Sequence, residues 1–178
     1  MNNAMKLLAI AVLSAAGMSA ASAATQGTLT ITGNVVDQTC QVDASQLTRT
    51  VDLGDITQET IMATATRGTV VSKPFVFNFT GCPASTTGVG IKFDYKTSGN
   101  FADVMENTGN GKGILLSITD DADNPVKPGD KVSATNLDTT AGTATVNAKV
   151  EAVRIAASDA DITAGNIAST ATVTVVMN

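Results

Sequence analysis

Cys40 and Cys82 are the two residues of this 178-residue chain able to form a covalent cross-link, and the chain contains no histidine. Without histidine there is no Ser-His-Asp triad and no His-based zinc site. Two cysteines with 41 residues between them cannot build a Cys₄ cluster. The run Gly109-Asn110-Gly111-Lys112-Gly113 has the look of a phosphate loop. It lacks the G-x-x-x-x-G-K-[ST] spacing and a following helix, so a hairpin turn is expected there. Asp120-Asp121-Ala122-Asp123-Asn124 is acidic enough to suggest calcium. An EF-hand loop needs glycine at its sixth position and glutamate at its twelfth, and Pro125 and Lys131 stand there instead. An acidic surface turn is the expectation. Asn78-Phe79-Thr80 matches a glycosylation acceptor but lies within an expected strand. Carboxylate pairs occur without any that reads as an acid–base couple. The inventory points away from an enzyme, with no catalytic residue, no metal site and no cofactor.

The compartment follows from the N-terminus. Lys6 precedes the apolar run Leu7-Leu8-Ala9-Ile10-Ala11-Val12-Leu13, and small residues lead to Ala21-Ser22-Ala23. That pattern is expected of a secretory signal peptide over residues 1–23. The apolar run is too short to span the roughly 30 Å hydrocarbon core of a bilayer, so no stable membrane insertion is expected. Removing it leaves 155 residues with 10 basic and 16 acidic side chains, a net charge of −6. This balance argues against nucleic acid as a partner. Export to an oxidising compartment makes a Cys40–Cys82 disulfide the default, two free thiols being the competing reading. Closing a loop of that size stabilises a fold by roughly 4 kcal/mol in the chain-entropy model.

These residues must be positioned by strands. Phe75, Phe77 and Phe79 alternate with Val76, Asn78 and Thr80, and Val89, Ile91, Phe93 and Tyr95 alternate with Gly90, Lys92, Asp94 and Lys96. A two-residue period sends one set to the core and the other to water. Ile114, Leu116 and Ile118 repeat the pattern. Val146, Ala148, Val150 and Ala152 do so again, with Val153 and Ile155 shifting phase as a β-bulge would. The chain closes on Val173, Val175 and Met177 alternating with Thr172, Thr174 and Val176. Turn formers separate these runs at Thr97-Ser98-Gly99-Asn100, Asp123-Asn124-Pro125, Lys127-Pro128-Gly129-Asp130 and Ala164-Gly165-Asn166. No long stretch holds a helical period. An all-β antiparallel sandwich in a single domain is the expectation.

One segment remains. In residues 24–33, Gly27, Leu29, Ile31 and Gly33 fall on one side of an extended strand and Thr28, Thr30 and Thr32 on the other. The pattern by itself fits equally the first strand of the chain's own sandwich and a strand given to a neighbour.

The run from Gly27 to Cys40, with its Gly33-Asn34-Val35-Val36 and Asp37-Gln38-Thr39-Cys40, resembles the start of type 1-like pilins of the bacterial chaperone–usher pathway. Val51-Asp52-Leu53-Gly54-Asp55-Ile56, Phe75-Val76-Phe77-Asn78-Phe79 before the second cysteine, Thr163-Ala164-Gly165-Asn166 and Ala171-Thr172-Val173-Thr174-Val175 extend the resemblance to the C-terminus.

The resemblance implies an immunoglobulin-like sandwich lacking its last strand, spanning residues 34–178 and completed by a donor segment, residues 24–33, of a neighbouring subunit. It implies three partners: neighbouring pilin subunits in a homo- or hetero-polymer, a periplasmic chaperone and an outer-membrane usher. Localisation would be export through the periplasm to a surface fimbria, whose polymer supports adhesion. Leu29 and Ile31 would plug the neighbour's groove, flanked by Gly27 and Gly33. Burying both plugs is worth roughly 3–6 kcal/mol. Val173, Val175 and Met177 of the last strand would face the acceptor groove and the chaperone, with Met177 standing where the family usually carries tyrosine. The alternative is a self-contained secreted binding module or fimbrial adhesin. Against it stand the single domain and the scarcity of aromatic side chains for a sugar site.

Overall fold

The computed structural model describes Thr32, residues 39–99 and residues 101–178. Gly27, Leu29, Ile31 and Gly33, and with them the expected signal peptide and all of the expected donor segment but Thr32, lie outside the described residues. The described residues from 39 onward belong to one compact unit.

Among the described residues nine strands follow in chain order: β1 (Gln41–Val42), β2 (Thr69–Thr80), β3 (Val89–Tyr95), β4 (Thr97–Ser98), β5 (Phe101–Met105), β6 (Ile114–Asp120), β7 (Lys131–Ser133), β8 (Ala144–Arg154) and β9 (Ala171–Met177). They make a six-stranded sheet, β1-β2-β8-β6-β5-β4, and a three-stranded sheet, β7-β3-β9. Every pairing is antiparallel. The result is an incomplete immunoglobulin-like sandwich, the fold class expected from the sequence.

The two-residue periods place the core. Phe77 and Phe79 of β2 and Val89, Ile91 and Phe93 of β3 are almost wholly buried, as is Val146 of β8. Phe75, Phe77 and Phe93 meet at ring-centroid separations of 5.8 to 6.1 Å, two of the three contacts edge-on, the arrangement ring quadrupoles favour. A disulfide joins Cys40 to Cys82, both buried, beside the point where Gln41 pairs with Thr80. Tyr95 donates from its hydroxyl to the Val126 carbonyl at 2.6 Å. Burial, with the charges of Asp103 and Asp130 adding to it, pushes its pKa up to about 12.

Four details depart from the simple alternation. β6 is buried on both faces, Leu115, Ser117 and Thr119 included; it lies inside the larger sheet between β8 and β5 and ends in a turn paired to it through a Thr119–Pro125 bridge. The bulge expected near Val153 sits across the ladder instead. Thr69 pairs with Val153 and Val71 with Ala152, so the extra residue is Val70 of β2, while β8 keeps unbroken register with β6 through Arg154. Residues 106–113 do join β5 to β6, but not as a free hairpin turn: they are stitched to residues 163–168. Two short helices also appear, α1 (Ala44–Leu47), capped by the Asp43 carboxylate, and α2 (Gln58–Ala63), capped by the Thr57 hydroxyl. At one and two turns they are too short to produce a helical period in sequence.

Arg154 explains the position of α2. It is 6% exposed and donates to the carbonyls of Ile61, Met62 and Thr64, which end that helix, and to the Ala156 carbonyl. Its remaining nitrogen pairs with Asp159 at 2.8 Å.

Candidate functional site

β9 is an edge strand. Among the described residues its ladder runs only to β3, from Val89 opposite Met177 to Tyr95 opposite Ala171. The direction of its free hydrogen-bonding groups can be worked out. The Val89 and Phe93 carbonyls are taken on the far side of β3 by Ala134 N–H and Gly129 N–H, whereas the Gly88 carbonyl accepts from Asn178 N–H. By the alternation of an antiparallel ladder, Thr172, Thr174 and Val176 bond to β3. Val173, Val175 and Met177 therefore carry their N–H and C=O groups to the open edge. A row of unpaired main-chain groups of this kind is a template for another strand.

The same strand borders an apolar groove. Val173 and Ala171 line a cavity of about 300 Å³ whose floor is the Phe75, Phe77 and Phe93 cluster. Leu116, Ile118 and Val150 of the larger sheet form its depth, and Leu47 and Val51 form the opposite wall. Val173 and Val175 are half-buried, whereas Met177 is 38% exposed. Of the three residues singled out on the last strand, Val173 lines the cavity. Val175 and Met177 lie further along the edge.

The opposite wall is closed by side chains where strand pairing stops. β1 pairs with Thr80 and Phe79 only. Beyond it, Asn78 N–H donates to Gln46 Oε1 at 2.7 Å, and Arg49 donates to the Val76 carbonyl at 2.8 Å. Pro74, next in phase, has no N–H to satisfy. The Arg49 guanidinium lies 4.9 Å from the Phe75 ring centroid and 4.5 Å from that of Phe77. Neither Gln46 nor Arg49 was singled out from sequence, since Gln46 and the polar run Thr48-Arg49-Thr50 show no apolar period.

The start of β9 is anchored by an asparagine clasp. Asn107 Oδ1 accepts from Gly109 N–H and Ala168 N–H, and Asn110 Oδ1 accepts from Asn166 N–H. Gly109 packs so closely on the Asn166 carbonyl that a β-carbon would collide with it, which is why glycine stands there. Ser169 then donates to the Glu106 carbonyl at 2.7 Å. The groove edge is thus held at its beginning by polar contacts and left free along its length.

Nothing in the described residues assembles catalytic chemistry. No group of three or more His, Cys, Asp or Glu side chains among them could hold a metal ion. The Asp120 carboxylate is occupied by its own turn, accepting from Ala122 N–H, Asn124 N–H and the Asn124 amide.

Residues 29–178 match the model of the family described as Fimbrial protein. The chain is 32% identical over 127 residues to the Fimbria A protein of Serratia marcescens, covering 70% of this chain and 71% of that one. In fold it is similar to a subunit of a chaperone–usher pilus, with a TM-score of 0.64 at 18% identity over 88% of this chain and 98% of the other. It is also similar to the P pilus rod subunit PapA, with a TM-score of 0.62 at 15% identity over 78% of this chain and 99% of that one.

Proposed function

The chain belongs to the fimbrial protein family, and from that premise we propose that its work as a structural subunit is done at the open edge of β9. A neighbour's residues 24–33 lie along that edge, bonding to the N–H and C=O groups of Val173, Val175 and Met177. Leu29 and Ile31 enter the groove over the Phe75, Phe77 and Phe93 floor, and Gly27 and Gly33 flank them. Main-chain bonds give affinity and alternate side chains give register, the logic of β-strand addition. A periplasmic chaperone holds the same edge before assembly, and an outer-membrane usher is where one strand replaces the other. Residues 1–23 direct export, and the fibre is displayed at the cell surface, where it supports adhesion.

The observation that carries this reading is the coincidence of an unpaired strand edge with an apolar groove whose walls belong to both sheets. The test compares Leu29→Ala and Ile31→Ala with Thr30→Ala, scoring fibres by negative-stain microscopy and the soluble chaperone complex in the periplasm. Each of the first two removes about 2–5 kcal/mol of burial in the neighbour. Fibres weaken or vanish while the complex persists, and Thr30→Ala leaves fibres near normal. Loss of the soluble complex in Leu29→Ala would place that side chain in its own domain's core and end the reading.

A further inference from the structure

Arg49 is the one charged side chain lining the groove among the described residues. The chain has three arginines. Arg67 pairs with Asp103 at 2.5 Å and Arg154 with Asp159 at 2.8 Å. Arg49 has no carboxylate partner among the described residues; its contacts are the faces of Phe75 and Phe77 and the Val76 carbonyl. Those contacts fix a guanidinium on the aromatic floor by cation–π attraction and a hydrogen bond, and loss of water there lowers its pKa. The Val76 carbonyl belongs to β2, in the sheet opposite β9, so a strand docking on β9 has no call on that bond. Arg49 therefore stays in place as the groove fills.

We propose that Arg49 is a specificity-determining residue of subunit assembly, a fixed cation that excludes a donated strand carrying positive charge beside it. The strand it admits is residues 24–33 of a second copy of this chain. That segment, Ala-Thr-Gln-Gly-Thr-Leu-Thr-Ile-Thr-Gly, holds no lysine or arginine, and its hydroxyl, amide and carbonyl oxygens are acceptors a guanidinium can use. Arg49 is exposed in the isolated subunit, so a lysine brought beside it would meet a like charge screened in part by water and salt, whereas a glutamate would meet an unpaired cation. This inference rests on the groove being the docking site for that segment.

The experiment uses the refolded full chain and a labelled peptide of residues 24–33, acetylated and amidated, read by fluorescence anisotropy. Lysine or glutamate is placed one at a time at positions 28, 29, 30 and 31 of the peptide. At one position lysine weakens binding at least about tenfold more than glutamate does, a discrimination characteristic of like-charge exclusion. Arg49→Lys keeps that ratio, and Arg49→Gln, which retains a donor for the Val76 carbonyl, brings it below about twofold. Raising salt from about 0.05 to 0.5 M narrows the ratio on the unaltered chain, a readout independent of any variant's folding. An unmodified peptide that binds, with a lysine-to-glutamate ratio near one at every position or insensitive to salt, would overturn the role of Arg49 alone. An unmodified peptide that does not bind would overturn the docking reading and this inference with it.

Discussion

Proline substitution along β9 separates the two edges of one strand. Thr174 bonds inward to Lys92 of β3, and Val175 directs its N–H to the open edge. Val175→Pro removes a donor that the isolated subunit does not use, and an edge strand tolerates proline on its free side. Its folding stability changes by less than about 1 kcal/mol in urea. A docked strand, however, loses one main-chain hydrogen bond and part of a side-chain contact. At about 1–2 kcal/mol, affinity for the peptide of residues 24–33 falls roughly 5- to 30-fold. Thr174→Pro gives the reverse pattern. It removes a ladder bond within the smaller sheet and leaves the Lys92 carbonyl unpartnered, costing about 2 kcal/mol or more of folding stability. Urea unfolding reads the first quantity and peptide anisotropy the second. If Val175→Pro bound the peptide as the unaltered chain does, docking along the outer edge of β9 would be refuted. A Val175→Pro chain that unfolded like Thr174→Pro would refute the phase of the ladder worked out above.

Arg154→Met leaves the Ile61 and Ala156 carbonyls without their buried donor and destabilises by about 2–5 kcal/mol in urea unfolding; an effect under about 0.5 kcal/mol would show that Arg154 does not hold α2. Reducing the Cys40–Cys82 bond, which spans a sequence separation of 42, lowers stability by roughly 4 kcal/mol in the chain-entropy model, and unchanged urea midpoints with and without reductant would contradict that. Asp120 loses some hydration, which raises its pKa, but hydrogen bonds from Asn124 and Ala122 and the charge of Lys149 outweigh this and set it below 3.8. A carboxylate depressed on folding stabilises the native state above its unfolded pKa, and that contribution fades as pH falls through the lower folded value. Carbon-detected titration of Asp120 with a midpoint at or above 3.8 would show that the turn does not favour the ionised form.

Strand identity was legible because burial on one face leaves a period of two, and Phe75 to Phe79 and Val89 to Tyr95 could hardly be read otherwise. The pairing of Cys40 with Cys82 was equally open to inference, as two lone cysteines in a chain with an export pattern. The turn at Asp120 was readable from its chemistry, since short acidic and amide side chains satisfy their own backbone. Even the last strand's apolar set, Val173, Val175 and Met177, stood out in the alternation. What the alternation could not say is which neighbour each strand has. Periodicity records the face a side chain takes, which lies perpendicular to the sheet, whereas pairing lies within its plane and leaves no mark on composition. The open edge of β9, the shift of the bulge from Val153 to Val70, and the stitching of residues 106–113 to 163–168 were therefore decided by tertiary structure. So were Arg49 and Arg154. Their side chains act on carbonyls 27 and about 90 residues away in the chain, and a charged residue's partner over such a span is set by how the sheets close, which no local pattern encodes.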